Sequence, residues 1–209
     1  MDTMGKTKLP NYGVRQHFEV MQEMGDCHTQ LGEYEQAKEC YQKAAWLEPD
    51  EAGPYVGTGV IALQEGKIDD ANIAFRVALR LDPQNSRAYA GQAMIYQQKQ
   101  EMKKAFDCYL KCLEIDGDNL TALLGLFQVS CQMGSFGRII DYLKIYLEMH
   151  PKDCGVMFCL ATLYVKNQQL PQAKNLLEQI LKLEPNNTDA GNLLEEVQHI
   201  MSQDSYRRL

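Results

Sequence analysis

The chain has 209 residues, of which 45% are apolar and 23% charged, with a formal net charge of -7 and a pI near 5.1. That apolar share suffices for a continuous core, so disorder is expected only at the ends. The acidic balance repels phosphate backbones and argues against nucleic acid as a partner, and no run reaches the ~18 apolar residues that would argue for membrane insertion.

Taken in chain order, residues 1–13 come first, with Gly5, Pro10 and Gly13, no repeat signal and no hydrophobic signal core; a flexible segment is expected. The seven cysteines are odd in number and scatter through helical patterns without disulfide-scaffold spacing. Reduced thiols and a cytoplasmic location follow as expectations.

From residue 14 to residue 187 the chain repeats. Pro49, Pro83, Pro151 and Pro185 are separated by 34, 68 and 34 residues, and Gly117 fills the one gap. Five windows result, 18–51, 52–85, 86–119, 120–153 and 154–187. Stacking them aligns small residues at Gly25, Gly59, Ala93 and Ala161, and again at Ala37, Ala71, Ala105 and Ala173. Four places after the second column stand Tyr41, Phe75, Tyr109, Leu143 and Leu177, large groups that can fill the gap the small ones leave.

Each window predicts two helices of about 14 residues from apolar spacing at i, i+3, i+4 and i+7. In the second window Tyr55, Val56, Val60, Ile61 and Leu63 mark the first helix, and Ile68, Ala71, Phe75, Ala78, Leu79 and Leu81 the second. Gly32, Gly66 and Gly134 recur at the break, where glycine can take the left-handed conformation that ends a helix. Asn85, Asn119, Asp153 and Asn187 follow the proline turn and can cap the next helix, and Pro171 suits the first turn of another. After the repeats, residues 188–203 predict one amphipathic capping helix, with Leu193, Leu194, Val197, Ile200 and Met201 on one side. A fraying polar tail is expected over 204–209.

The 34-residue helix-turn-helix unit, with its small, aromatic, small and proline places, resembles the tetratricopeptide repeat family. The resemblance implies an all-α, right-handed superhelical solenoid of five repeats plus a C-terminal capping helix, with the first helix of each pair lining a concave face. It also implies the groove side chains, which in this family come mainly from the fifth, ninth and twelfth places of each first helix. Those are Gln22, Asp26 and Thr29, with Glu19 and Glu23 beside them; Val56, Val60 and Leu63; Ala90, Met94 and Gln97; Leu124, Gln128 and Cys131; and Phe158, Thr162 and Val165.

One branch of the family grips terminal carboxylates of chaperone peptides with Lys, Arg and Asn. Here Gln22, Asp26, Gly57 and Gly91 stand at four of those places and only Arg87 is basic, which disfavours such a ligand. An acidic start followed by apolar groups and the amides of Gln97 and Gln128 suggests instead an apolar segment carrying a basic residue. The fourth window departs from the pattern, with Phe127, Ile139 and Tyr146 at places otherwise held by small residues, and Gly137 weakens the start of its second helix. Either its helices sit further apart or one bulky group turns outward.

No catalytic apparatus is visible: there is no phosphate loop, nucleophile elbow or oriented Cys/His pair. Glu195 with His199, or Cys108 with Cys112, could supply two metal ligands, but Cys112 occupies a small-residue core place, and no metal or other cofactor is expected. The expected function is a non-enzymatic adaptor or scaffold holding a protein or peptide in the concave groove. Two alternatives stay open: a self-assembling homo-oligomer whose N-terminal segment fills a neighbour's groove, and a regulatory subunit that positions a catalytic partner.

Overall fold

A computed structural model describes residues 12–207, and among them it shows eleven helices and no strand. Two units are described separately, the first ending at Glu101 and the second beginning at Met102. The first contains α1 (Tyr12–Leu31), α2 (Tyr34–Leu47), α3 (Gly53–Gln64), α4 (Ile68–Leu81) and α5 (Ser86–Gln98). The second contains α6 (Met102–Ile115), α7 (Leu120–Met133), α8 (Gly137–Met149), α9 (Cys154–Lys166), α10 (Leu170–Leu183) and α11 (Thr188–Arg207).

Both ends differ from the sequence reading. Tyr12 and Gly13 already belong to α1, and the amphipathic run at the other end continues through Arg207 instead of stopping at residue 203. The physical reason is alike in both cases: a first turn needs only its neighbours' backbone to propagate, so a helix whose inner stripe is packed extends beyond that stripe. The flexibility expected of residues 1–11 lies outside the described residues.

Helix ends follow the local chemistry. The Oδ1 atoms of Asn85, Asn119, Asp153 and Asn187 each accept a hydrogen bond, 3.0 Å long, from the backbone N–H three residues on. These caps satisfy amides that the helix itself leaves orphaned. Pro54 and Pro171 sit in the first turns of α3 and α10. Gly32, Gly66 and Gly134 have φ of +76°, +73° and +67°, the left-handed conformation expected of them. At the corresponding places of the third and fifth windows the same conformation is held by Gln100 and Gln168, with φ of +60° and +59°.

The core is built from interlocking aromatic and small residues. In the first unit α2 packs on α1 and α3, and α4 packs on α3 and α5, so that α1, α3 and α5 form one layer and α2 and α4 the other. Tyr41 of α2 is buried between Gly25 of α1 and Gly57 of α3: a Cβ on Gly25 would lie 2.6 Å from its Cε1, and one on Gly57 2.5 Å from both Cε atoms. Phe75 of α4 stands in the same relation to Gly59 of α3 and Gly91 of α5. Each ring thus bridges its own repeat and the next. Ala37, Ala71, Ala44 and Ala78, all fully buried, let the helices close on these rings.

In the second unit α6 packs on α7, and α8 to α11 add in chain order. Tyr109 of α6 meets Gly125 of α7 in the same manner as Tyr41 meets Gly57. The fourth window keeps its bulky groups inside: Ile139 is fully buried, Tyr146 is buried with its hydroxyl donating to Asp153 at 3.3 Å, and Phe127 is half-buried. Of the two outcomes expected there, the outward turn is ruled out for Ile139 and Tyr146. Fewer backbone positions of α7 and α8 come close to one another than in the pairs α3 with α4 or α9 with α10. Gly137 is the first residue of α8, where its lack of helix preference costs little.

Candidate functional site

Because α1, α3 and α5 lie side by side, the turns entering α3 and α5 arrive at one end of the layer, next to the first turns of α1. A cleft of about 520 Å³ opens there. α1 contributes Arg15, Phe18, Glu19, Gln22 and Glu23; the approach to α3 and its first turn contribute Asp50, Glu51, Ala52, Gly53 and Val56; the approach to α5 contributes Leu81, Asp82, Asn85 and Arg87. Gly53 has a steric role, since a Cβ there would meet the Gln22 side-chain amide at 2.6 Å.

Five carboxylates, Glu19, Glu23, Asp50, Glu51 and Asp82, face two guanidinium groups across this cleft. Arg15 bonds Glu19 at 3.1 Å and also Glu51, and these two hydrogen bonds, that to Glu51 foremost, hold its guanidinium above its ordinary pKa. Asp82 is taken up by the turn, accepting from the Gln84 backbone at 3.0 Å and from the Asn85 amide at 3.2 Å. Glu23 and Asp50 have no ion-pair partner among the described residues. Arg87, with 60% of its side chain exposed, reaches Asp26 only at 3.9 Å. Asp26 meanwhile accepts a 2.6 Å bond from the Tyr41 hydroxyl, and burial, reinforced by that carboxylate, pushes the tyrosine's pKa up. The cleft is therefore a cavity with surplus negative charge and an apolar back wall of Phe18, Ala52 and Val56.

Of the groove residues read from the sequence, the structure gathers Glu19, Gln22, Glu23, Val56 and Arg87 in this cleft, with Asp26 beside Arg87. Val56 needs correction: at 1% exposed it is a core residue of the Phe75 cluster and closes the back of the cleft without presenting its side chain to a ligand. Val60 and Leu63 are half-buried against that same cluster, while Met94 and Gln97 are half-buried further along α5. In the second unit Leu124 and Gln128 are exposed on α7, and Phe158, Thr162 and Val165 are half-buried on α9. The Thr162 hydroxyl donates to the Phe158 carbonyl at 2.9 Å, which uses its proton within the helix. Ala90 is buried.

Arg15, Asp50, Glu51 and Asp82 were missed. All lie outside the places from which this family draws its groove side chains: Arg15 precedes the first window and the others belong to the proline turns. The turn columns themselves were the available signal, because Leu47-Glu48-Pro49-Asp50-Glu51 and Leu81-Asp82-Pro83 repeat an acidic phrase that must fall at one end of every first helix. Gly57 and Gly91 also take on a meaning beyond the lack of a carboxylate-gripping side chain, for each leaves room for the ring of the preceding repeat.

Helix pairs of constant length, joined at glycine-like and proline-capped turns and interlocked by one large side chain per pair, define a helical-repeat protein. Residues 13–105 match the model of the cilia and flagella-associated protein 70 middle TPR-like domain, and residues 156–187 match a tetratricopeptide repeat model. The chain is a tetratricopeptide repeat protein. Among solved structures it is similar to pilF of Pseudomonas aeruginosa, with a TM-score of 0.75 and 19% identity over 92% of this chain and 88% of that one. It is likewise similar to YrrB, described as a TPR protein with an unusual peptide-binding site, with a TM-score of 0.64 and 16% identity over 84% and 90% of the two chains. For yeast Tom70 the TM-score is 0.68 and the identity 19%, over 94% of this chain and 45% of that one. No curated protein sequence matches significantly.

Proposed function

We propose that this protein is a non-catalytic interaction module that holds a protein or peptide segment, and that the cleft of its first unit takes a basic side chain of that segment with apolar neighbours. The observation that carries the reading is the surplus of carboxylate in an apolar-backed cavity, where Glu23 and Asp50 have no ion-pair partner among the described residues. A lysine or arginine entering there gains charge-assisted hydrogen bonds in a partly water-excluded site, while its aliphatic stem lies along Phe18 and Ala52. The peptide-binding site named for YrrB and the Cut9-Hcn1 assembly found among similar structures are consistent with this use of the fold. The thiols support the absence of catalysis. Burial pushes Cys108 up to about 11 and raises Cys131, Cys154 and Cys159 as well, so these four carry little nucleophilic thiolate at neutral pH.

The test is a peptide array varying charge and hydrophobicity, followed by titration of the best ligand into wild type and into a Glu23→Lys/Asp50→Lys variant. Basic, partly apolar peptides are expected to bind best, to weaken with added salt, and to lose about tenfold or more on charge reversal. Preference for acidic or wholly polar peptides, or binding indifferent to the double substitution, refutes the reading.

A further inference from the structure

The second helices of the first unit carry a surface that the cleft does not use. α4 buries Ala71, Ala74, Phe75 and Ala78 on one side and presents Ile73, Arg76, Val77 and Arg80 on the other. Ile73 is 61% exposed. Thirty-four residues earlier, α2 presents Glu39, Gln42, Lys43 and Trp46 at the same repeat places. Trp46, the chain's one tryptophan, is 83% exposed. Since the buried stripes of the two helices also correspond residue for residue and both pack on α3, the two outward stripes face the same side of the unit.

Charge sets this face apart from the rest of an acidic chain. Eight cations lie between residues 12 and 101, and five of them, Arg15, Lys38, Lys67, Arg87 and Lys99, are within 4 Å of a carboxylate. The three without an ion pair among the described residues are Lys43, Arg76 and Arg80, all on this stripe. Glu39 is its sole carboxylate. Arg76 and Arg80 stand one helical turn apart, a like-charge spacing that disfavours an isolated helix. Large apolar groups beside guanidinium groups without a carboxylate partner among the described residues describe half of an interface.

We propose that the outer face of α2 and α4 is a second docking surface, and that its occupant is an acidic amphipathic segment of a partner protein. Carboxylates of that segment pair with Arg76, Arg80 and Lys43, and its apolar side chains cover Ile73, Val77 and Trp46. The surface is distinct from the acidic cleft and opposite to it in charge preference, so one chain can hold two segments of opposite sign.

The probe is a tryptophan-free helical peptide with Leu and Phe along one face and Glu on its flanks, titrated into the full chain while Trp46 emission is recorded. Binding is expected to shift that emission to the blue as the indole leaves water. Arg76→Glu/Arg80→Glu is expected to weaken binding about tenfold or more, and a peptide with Lys replacing Glu is expected to bind this variant and not the wild type. That exchange of preference also shows that the variant is folded. Glu23→Lys/Asp50→Lys, which disables the cleft, is expected to bind the acidic peptide as wild type does. The proposal is overturned if the acidic peptide leaves Trp46 emission unmoved, if Arg76→Glu/Arg80→Glu retains its affinity, or if the cleft variant loses it.

Discussion

Replacing Gly91 by alanine places one methyl group where the Phe75 ring already stands. Its Cβ would lie 2.5 Å from Cε1 and Cε2 of that ring, against the 3.5–4.0 Å of relaxed carbon contact, so an opening of about 1 Å is required. The ring cannot retreat, because its other side lies over Gly59, where a Cβ would be 2.8 Å away. With the ring held on both sides, the cost falls at the upper end of the roughly 1–3 kcal/mol typical of overpacking, and the better helix preference of alanine returns about 1. A net loss of about 2 kcal/mol is expected, equivalent to a fall in Tm of roughly 4–8 °C for a chain of this length. Gly191 of α11 supplies the control, since a Cβ there meets nothing within 4 Å. The same substitution at Gly191 is expected to stabilise by about 0.5–1 kcal/mol. Urea denaturation followed by circular dichroism measures both, and adding Phe75→Leu to Gly91→Ala should recover part of the loss in a double-mutant cycle. If Gly91→Ala proves as stable as wild type, the interlocking of ring and glycine is not what holds α4 to α5.

Other expectations follow from particular atoms. Gln100→Gly and Gln168→Gly relieve left-handed backbone at a side-chain-bearing residue, and each should raise stability by up to ~1 kcal/mol in thermal unfolding. Ser130 is fully buried with no hydrogen-bond partner for its hydroxyl among the described residues, so Ser130→Ala should stabilise by about 1 kcal/mol, read from the denaturation midpoint. Glu65 is held below the ordinary carboxylate value of 4.5, by hydrogen bonds from Lys38 at 2.5 Å and Lys67 at 3.0 Å. A lowered pKa in the folded state means stability that is present above pH 4.5 and lost as pH falls through the folded value, so Glu65→Gln should flatten the acid limb of a stability-against-pH profile.

The period, the turns and the buried large-residue column were legible in the sequence because each rests on a local rule: a cap, a left-handed glycine, a helical spacing. Asn85 and Asn119 cap as their side chains dictate, whatever packs around them. The groove was harder to read. Val56 occupies a family groove place, yet in this chain its side chain turns into the cluster around Phe75, a matter of how closely α3 approaches α4 and α5. Arg15 and Asp50 lie 35 residues apart in sequence and share the cleft only once α1 and α3 are side by side, so no single-window pattern could unite them. The glycine column of Gly57, Gly91 and Gly125 was readable in principle, since each stands sixteen residues after an aromatic, but the pairing crosses a window boundary.

That crossing determines where the polypeptide can be cut. A fragment ending at a proline turn, such as 12–51, retains Tyr41 but discards Gly57, and so leaves one flank of the ring wet. Extending it through α3 restores the missing wall. Deletion series and chimeras should accordingly be joined at the left-handed turns after a first helix, near Gly32, Gly66 or Gln100, and it is one residue past Gln100 that the first unit ends.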